Sequence, residues 1–235
     1  MTMTKTQVLA LLKENRNERG IAHWKKRGTE AVKLKSFGIG LTQLRKLAKQ
    51  VGRDHKLAQQ LWRSDIYDAK IIGLLIDDPK QLSREQAEKQ VDGLAAGMLS
   101  HVFASCGAPL AKTPFAFDLA REWMESNHNM RRRCGYSLLY ELSKKNPQGM
   151  DDAYLLRRIN HIRNAIHGEE MWVREAMGCA LMGIGKRNKT LNKAAIRAAK
   201  SIGPIDIDYG DDNSCEPLDV LKHLTSDYLK QKLGV

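Results

Sequence analysis

One pattern restricts this chain more than any other. Apolar residues recur at helical spacing almost from end to end, and strand alternation is almost absent. Leu41, Leu44, Leu47, Ala48 and Val51 line one side of a helix, as do Ile66, Ala69, Ile72, Gly73 and Ile76. Leu155, Ile159, Ile162 and Ile166 form a third stripe, and Val173, Ala176, Met177, Ala180, Leu181 and Ile184 a fourth. The punctuation agrees. Ser83 with Gln86 reads as a capping box, and Thr113-Pro114 as a capping hydroxyl before a first-turn proline. Asp151 or Asp152 can cap the 155–166 helix, Gly168 can end it, and Glu216-Pro217 opens the last helix. The expectation is an all-α chain of about a dozen helices, roughly 10–18 residues each, joined by short turns. Helix pairs recurring every roughly 35–40 residues predict a degenerate α-solenoid with a concave binding surface.

The 235 residues contain no Pro-, Gly- or Ser-rich linker. A single domain over 1–235 is therefore expected. Residues 1–35 would be N-terminal capping helices, 36–205 the repeat core, and 206–235 an acidic turn with the C-terminal helix. No apolar run approaches the ~18 residues that span a bilayer, and the N-terminus lacks a signal peptide's apolar centre. A cytoplasmic monomer is the expectation. Cys106, Cys134, Cys179 and Cys215 lie far apart with no CxxC, so no metal and no cofactor are expected. Set among apolar neighbours, they read as reduced, buried thiols.

The net charge of +12 points to a polyanionic partner. Lys25 to Lys56 holds ten Lys or Arg against Glu30 and Asp54. Arg131, Arg132 and Arg133 open one helix. Residues 186–200, KRNKTLNKAAIRAAK, contain Lys186, Arg187, Lys189, Lys193, Arg197, Lys200 and no acid. The last four recur at spacings of four, four and three, which places them on one helix face. A face of that kind repels itself and gains when phosphates replace its counterions. In contrast, DIDYGDDNSCEPLD (206–219) has six acids and no base. Its Asp206-x-Asp208 lacks the glycine and closing glutamate placement of a calcium loop, so it reads as a surface turn.

Several long words in the chain resemble one family. FGIGLTQLRKLAKQVGRDHKLAQQLW (37–62), LAKTPFAFDLAREW (110–123), WVREAMGCALMGIGKRN (172–188) and SIGPIDIDYGDDNSCEP are similar to the DNA alkylation repair glycosylases of the AlkD type, built from HEAT-like repeats. The resemblance covers roughly residues 30–220. It implies a C-shaped α-solenoid with a basic concave groove for duplex DNA. It also implies removal of cationic alkylpurines, with an Asp steadying the oxocarbenium-like sugar, tryptophans packed on the nucleotide and an arginine on the backbone. Arg133, ten residues after Trp123, matches the groove arginine.

Two positions depart from the family pattern. Cys179 stands where the family has a groove tryptophan. The catalytic Asp belongs within MLSHVFASC, yet no Asp or Glu occurs from Gly93 to Phe117. Asp92 and Asp118 are the nearest acids. Loss of a preorganised charge of this kind typically costs ~10²–10³ in rate. His101 and Cys106, five apart, do not face each other on a continuous helix, so Val102, Phe103, Cys106 and Leu110 read as core packing. His161 and His167 read as ordinary histidines. Among the tryptophans, Trp62 and Trp123 lie on apolar stripes, whereas Trp172 enters its helix near the basic residues.

Together these observations predict a protein that binds duplex DNA, alkylated or distorted, through Arg131, Arg132, Arg133, Trp172, Lys186, Arg187, Lys189, Lys193, Arg197 and Lys200. N-glycosidic removal of cationic alkylpurines with a displaced acid is a further reading, disfavoured by the absence of the family's catalytic Asp and one groove Trp. The alternative is a HEAT-like scaffold that binds protein or RNA.

Overall fold

The computed structural model of the protein describes residues 3–26, 33–145, 147–209 and 218–234. These residues are helical, and their one β pairing is an isolated bridge between Lys35 and Ile66. No described helix is long and apolar enough to cross a membrane. The helices run from 5 to 15 residues, shorter than the periodicity predicts, because caps and tight turns interrupt the apolar stripes. The chain divides into two compact units, 1–116 and 117–235.

The first unit contains α1 (Lys5–Glu14), α2 (Glu18–Lys26), α3 (Leu41–Val51), α4 (His55–Trp62), α5 (Tyr67–Ile76), α6 (Arg84–Val91) and α7 (Leu99–Ala104). Helix α5 is its centre, with Ile71, Ile72 and Ile76 buried, and it packs against α1, α3, α4 and α7. Gly73 lets α4 come close: a Cβ there would stand 2.9 Å from the Ala58 carbonyl oxygen. Two buried carboxylates tie loops to this centre. Asp68 accepts from Phe37 N at 2.7 Å, Ile39 N at 3.1 Å and Ser36 Oγ at 2.9 Å. Asp77 meets His55 Nδ1 at 2.7 Å and accepts from Gln59 and Gln86 amides at 3.1 and 2.8 Å. Ser83 caps α6 through Gln86 N, as predicted, but the Gln86 side chain turns to Asp77 instead of closing the box.

The acid-free stretch forms α7 and a short 3₁₀ helix, Pro109–Lys112. Two sequence expectations fail here, the first because the helix stops early. Ser105 is extended, Cys106 has φ +57° and Gly107 φ +76°, so the chain reverses after Ala104. Val102, Phe103 and Leu110 are buried as predicted, but the reversal leaves Cys106 exposed. Thr113 does not cap a helix. Its hydroxyl donates to the Leu110 carbonyl at 2.9 Å, and the next helix starts at Ala116.

The second unit contains α8 (Ala116–Met124), which starts at the boundary, α9 (Asn129–Ser143), α10 (Asp152–Ala165), α11 (Met171–Gly185), α12 (Lys189–Ile202), α13 (Val220–Leu224) and α14 (Asp227–Leu233). Asp151 caps α10 by accepting from Tyr154 N at 2.7 Å. Helix α11 is the counterpart of α5: ten of its residues are buried, and α9, α10, α12 and α13 pack around it. A Cβ on Gly183 would lie 2.6 Å from Ser143 Oγ, so glycine sets the closeness of α9 and α11. Asp219 caps α13; the predicted opening at Glu216-Pro217 lies outside the described residues, as does Cys215.

Candidate nucleic-acid interface

Helix α12 begins at the Asn188 cap, whose side chain accepts from Leu191 N at 2.9 Å, and ends at Gly203 with φ +76°. Leu191, Ala195, Ala198 and Ile202 bury one side against the unit. The 3.6-residue period then turns Lys189, Lys193, Arg197 and Lys200 outward, and all four are exposed. Lys189 donates to the Gly234 carbonyl at 3.1 Å. Lys193, Arg197 and Lys200 make no ion pair among the described residues, and the helix itself carries no acid.

The three arginines at the start of α9 meet different fates. Arg131 is half-buried. Arg132 spends its guanidinium internally: it bonds both oxygens of Glu169 at 2.8–3.1 Å, the Ser126 carbonyl at 2.8 Å and Asn129 Oδ1 at 2.7 Å. Arg133 lies over the Trp172 ring, 4.7 Å from its centroid. Its Nη2 is 3.6 Å from Glu175 Oε2, an ion pair too long for a hydrogen bond. Tyr209 completes this group. Its hydroxyl donates to Glu175 at 3.2 Å, and its ring meets Trp172 edge-on at 6.0 Å. Burial pushes the Glu175 carboxyl above its ordinary value, against the opposing pull of Arg133 and the Tyr209 hydrogen bond. The result is a largely buried cation on an aromatic face, ion-paired with Glu175 but not hydrogen-bonded to it.

Lys186 and Arg187 reach a cavity of about 630 Å³, which Lys144, Lys232, Asp151 and Asp152 also line. Arg187 donates to the Ser143 and Met150 carbonyls at 3.3 and 3.5 Å, closing the C-terminal end of α9. Asp152 accepts from Asn188 at 2.8 Å. Burial lowers the Lys186 pKa, and the neighbouring Lys144 and Lys232 charges push in the same direction.

Sequence reasoning brings Arg133 and Trp172 forward but misses Glu175, Tyr209 and Glu169, which fix the arginines. Glu175 sits inside the WVREAMGC word, and Tyr209 inside the acidic segment. Neither has a one-dimensional signal that ties it to Arg133. Cys179 is partly exposed on α11. Asp92 is exposed at the end of α6, and Asp118 is exposed on α8, 3.9 Å from Arg121. Among the described residues no group of three His, Cys, Asp or Glu side chains converges as a metal site.

Residues 8–206, most of the chain, match the family described as DNA alkylation repair enzyme. The chain belongs to the DNA alkylation repair enzyme family. It is 24% identical over 193 residues to the uncharacterized protein Lin0241 of Listeria innocua, covering 81% of this chain and 83% of that one. It is 23% identical, with the same coverage, to the uncharacterized protein Lmo0209 of Listeria monocytogenes. A solved structure described as a new family of proteins related to the HEAT-like repeat DNA glycosylases with affinity for branched DNA structures is similar at TM-score 0.80 and 22% identity, over 99% of this chain and 97% of that one. The likeness shows the fold. This family member is an all-α protein of HEAT-like repeats, as the periodicity predicts.

Proposed function

We propose that this family member binds DNA without excising a base, and that branched or otherwise distorted DNA is its ligand. The observation that carries the reading is the outward face of α12, where Lys189, Lys193, Arg197 and Lys200 stand in register with no acid on the helix. Arg133 on Trp172 supplies a second, more specific contact suited to an unstacked or kinked site. The affinity of the structural neighbour for branched DNA supports the choice of ligand. The acid-free α7, in the stretch where the family resemblance puts the catalytic Asp, supports binding without hydrolysis.

The test is a salt titration of binding to a four-way junction, a matched duplex and a single-stranded RNA. The junction should bind most tightly. Replacing Lys189, Lys193 and Arg197 with Ala together should flatten the slope of log K against log salt by about 0.9 for each lost phosphate contact. An unchanged slope removes α12 from the interface. Tighter binding of the RNA replaces DNA as the ligand.

A further inference from the structure

The reversal after α7 has a chemical consequence. It folds Cys106 back onto the helix it has just left, and Cys106 Sγ lies 2.7 Å from His101 Nε2. A continuous helix holds these two side chains apart. The left-handed backbone at Cys106, followed by that at Gly107, brings them together. The thiol is exposed and borders a cavity of about 400 Å³ lined by Arg45, Lys49, Arg53, Leu75 and Ile76. Arg53 is 4.0 Å from Asp78. Arg45 and Lys49 have no acidic partner among the described residues, and Arg45 Nη2 is buried with no hydrogen-bond partner. Three cationic side chains on one cavity wall favour an anion there over a cation.

We propose that Cys106 and His101 form an activated thiol that exchanges with low-molecular-weight disulfides bearing carboxylates, which the Arg45–Lys49–Arg53 cavity draws in. His101 Nε2 takes the proton from Cys106 Sγ. The sulfur attacks one sulfur of the disulfide, the S–S bond breaks, and a mixed disulfide forms on Cys106. The second sulfur leaves as a thiolate and takes up the proton from His101. One disulfide is consumed and one is made, so no other oxidant is needed. The imidazole supplies the base and the cations supply selectivity for charge. This site does not depend on the DNA reading, since all its residues lie in the first unit and none belongs to α12.

The experiment uses the full chain and three disulfide probes: the dianionic 5,5′-dithiobis(2-nitrobenzoate), neutral hydroxyethyl disulfide and cationic cystamine. Peptide mass mapping reports which of the four cysteines reacts, and circular dichroism confirms that each variant is folded. Cys106 should react first, with the anionic probe favoured over the cationic one by about tenfold relative to a cysteine in the unfolded chain. His101→Gln should slow all three probes by about tenfold. Arg45→Gln with Lys49→Gln should slow the anionic probe alone and leave the neutral one unchanged. The proposal is overturned if Cys106 in the folded chain reacts no faster than in the unfolded one, if His101→Gln leaves the rates unchanged, or if the double variant slows all three probes alike.

Discussion

The Arg133 guanidinium lies 4.7 Å from the centre of the Trp172 ring, with Glu175 behind it at 3.6 Å. Arg133 is too far from that carboxylate for a hydrogen bond, whereas Arg132 in the same turn bonds both oxygens of Glu169. The carboxylate is held at a cost. A carboxyl whose pKa is raised in the folded state binds more protons there than in the unfolded chain. Stability therefore falls as pH rises from the ordinary carboxylate value of 4.5 through the raised value. Glu175→Gln should remove this component of the pH dependence. Urea unfolding between pH 4 and 8 reads it, and a slope identical in the two proteins would separate Glu175 from the effect.

Arg132 predicts the opposite behaviour. With all its donating nitrogens engaged by Glu169, Ser126 and Asn129, the side chain is part of the unit's framework. A lysine has the charge but not the planar fork. Arg132→Lys should cost about 1–3 kcal/mol in urea unfolding, in the range of charge-assisted hydrogen bonds. Glu169→Gln should cost a similar amount, and a double-mutant cycle should return a coupling of about 1 kcal/mol or more. A coupling near zero would show that the two side chains act independently.

How much of this was legible in the sequence differs by element. The α12 face was fully legible, because helical period alone places Lys189, Lys193, Arg197 and Lys200 together. Arg133 and Trp172 were each visible, but their contact joins residues 39 apart and depends on how α9 packs on α11. Periodicity carries no information about that. The His101–Cys106 contact was misread for a local reason. Five-residue spacing keeps the two side chains apart only on an unbroken helix, whereas the chain leaves the helix at Ser105 and passes through a left-handed cysteine. Glycine is the usual signal for that conformation, and here it follows one residue late.

Asp68 shows how the first unit uses its acids. The carboxylate is fully buried and holds the 36–39 loop by three hydrogen bonds. One oxygen accepts from Ser36 and Phe37, the other from Ile39. An asparagine must turn its NH₂ toward one of these donor sets. Asp68→Asn should therefore lower stability by about 1–3 kcal/mol, the cost of an unsatisfied buried donor, and Asp68→Ala by more. Urea unfolding followed by tryptophan fluorescence checks both, since Trp24 stacks 4.3 Å from Tyr67 beside this loop. A loss below about 0.5 kcal/mol for either variant would show that water replaces the carboxylate.

The decisive chemical prediction concerns base release. An alkylpurine glycosidic bond already has a cationic leaving group, so a protein must add stabilisation of the sugar cation to speed its departure. On α7 there is no carboxylate to do this. Asp68 and Asp77 are buried in structural hydrogen bonds, and Asp118 is exposed beside Arg121. Single-turnover release of 7-methylguanine from a methylated duplex, with excess protein at low salt, should match spontaneous depurination while the duplex is demonstrably bound. A rate above the spontaneous one by about a hundredfold or more would mean that another carboxylate supplies the missing charge. Asp92→Asn and Asp118→Asn would then separate the two nearest candidates, the first beyond the end of α6 and the second on α8.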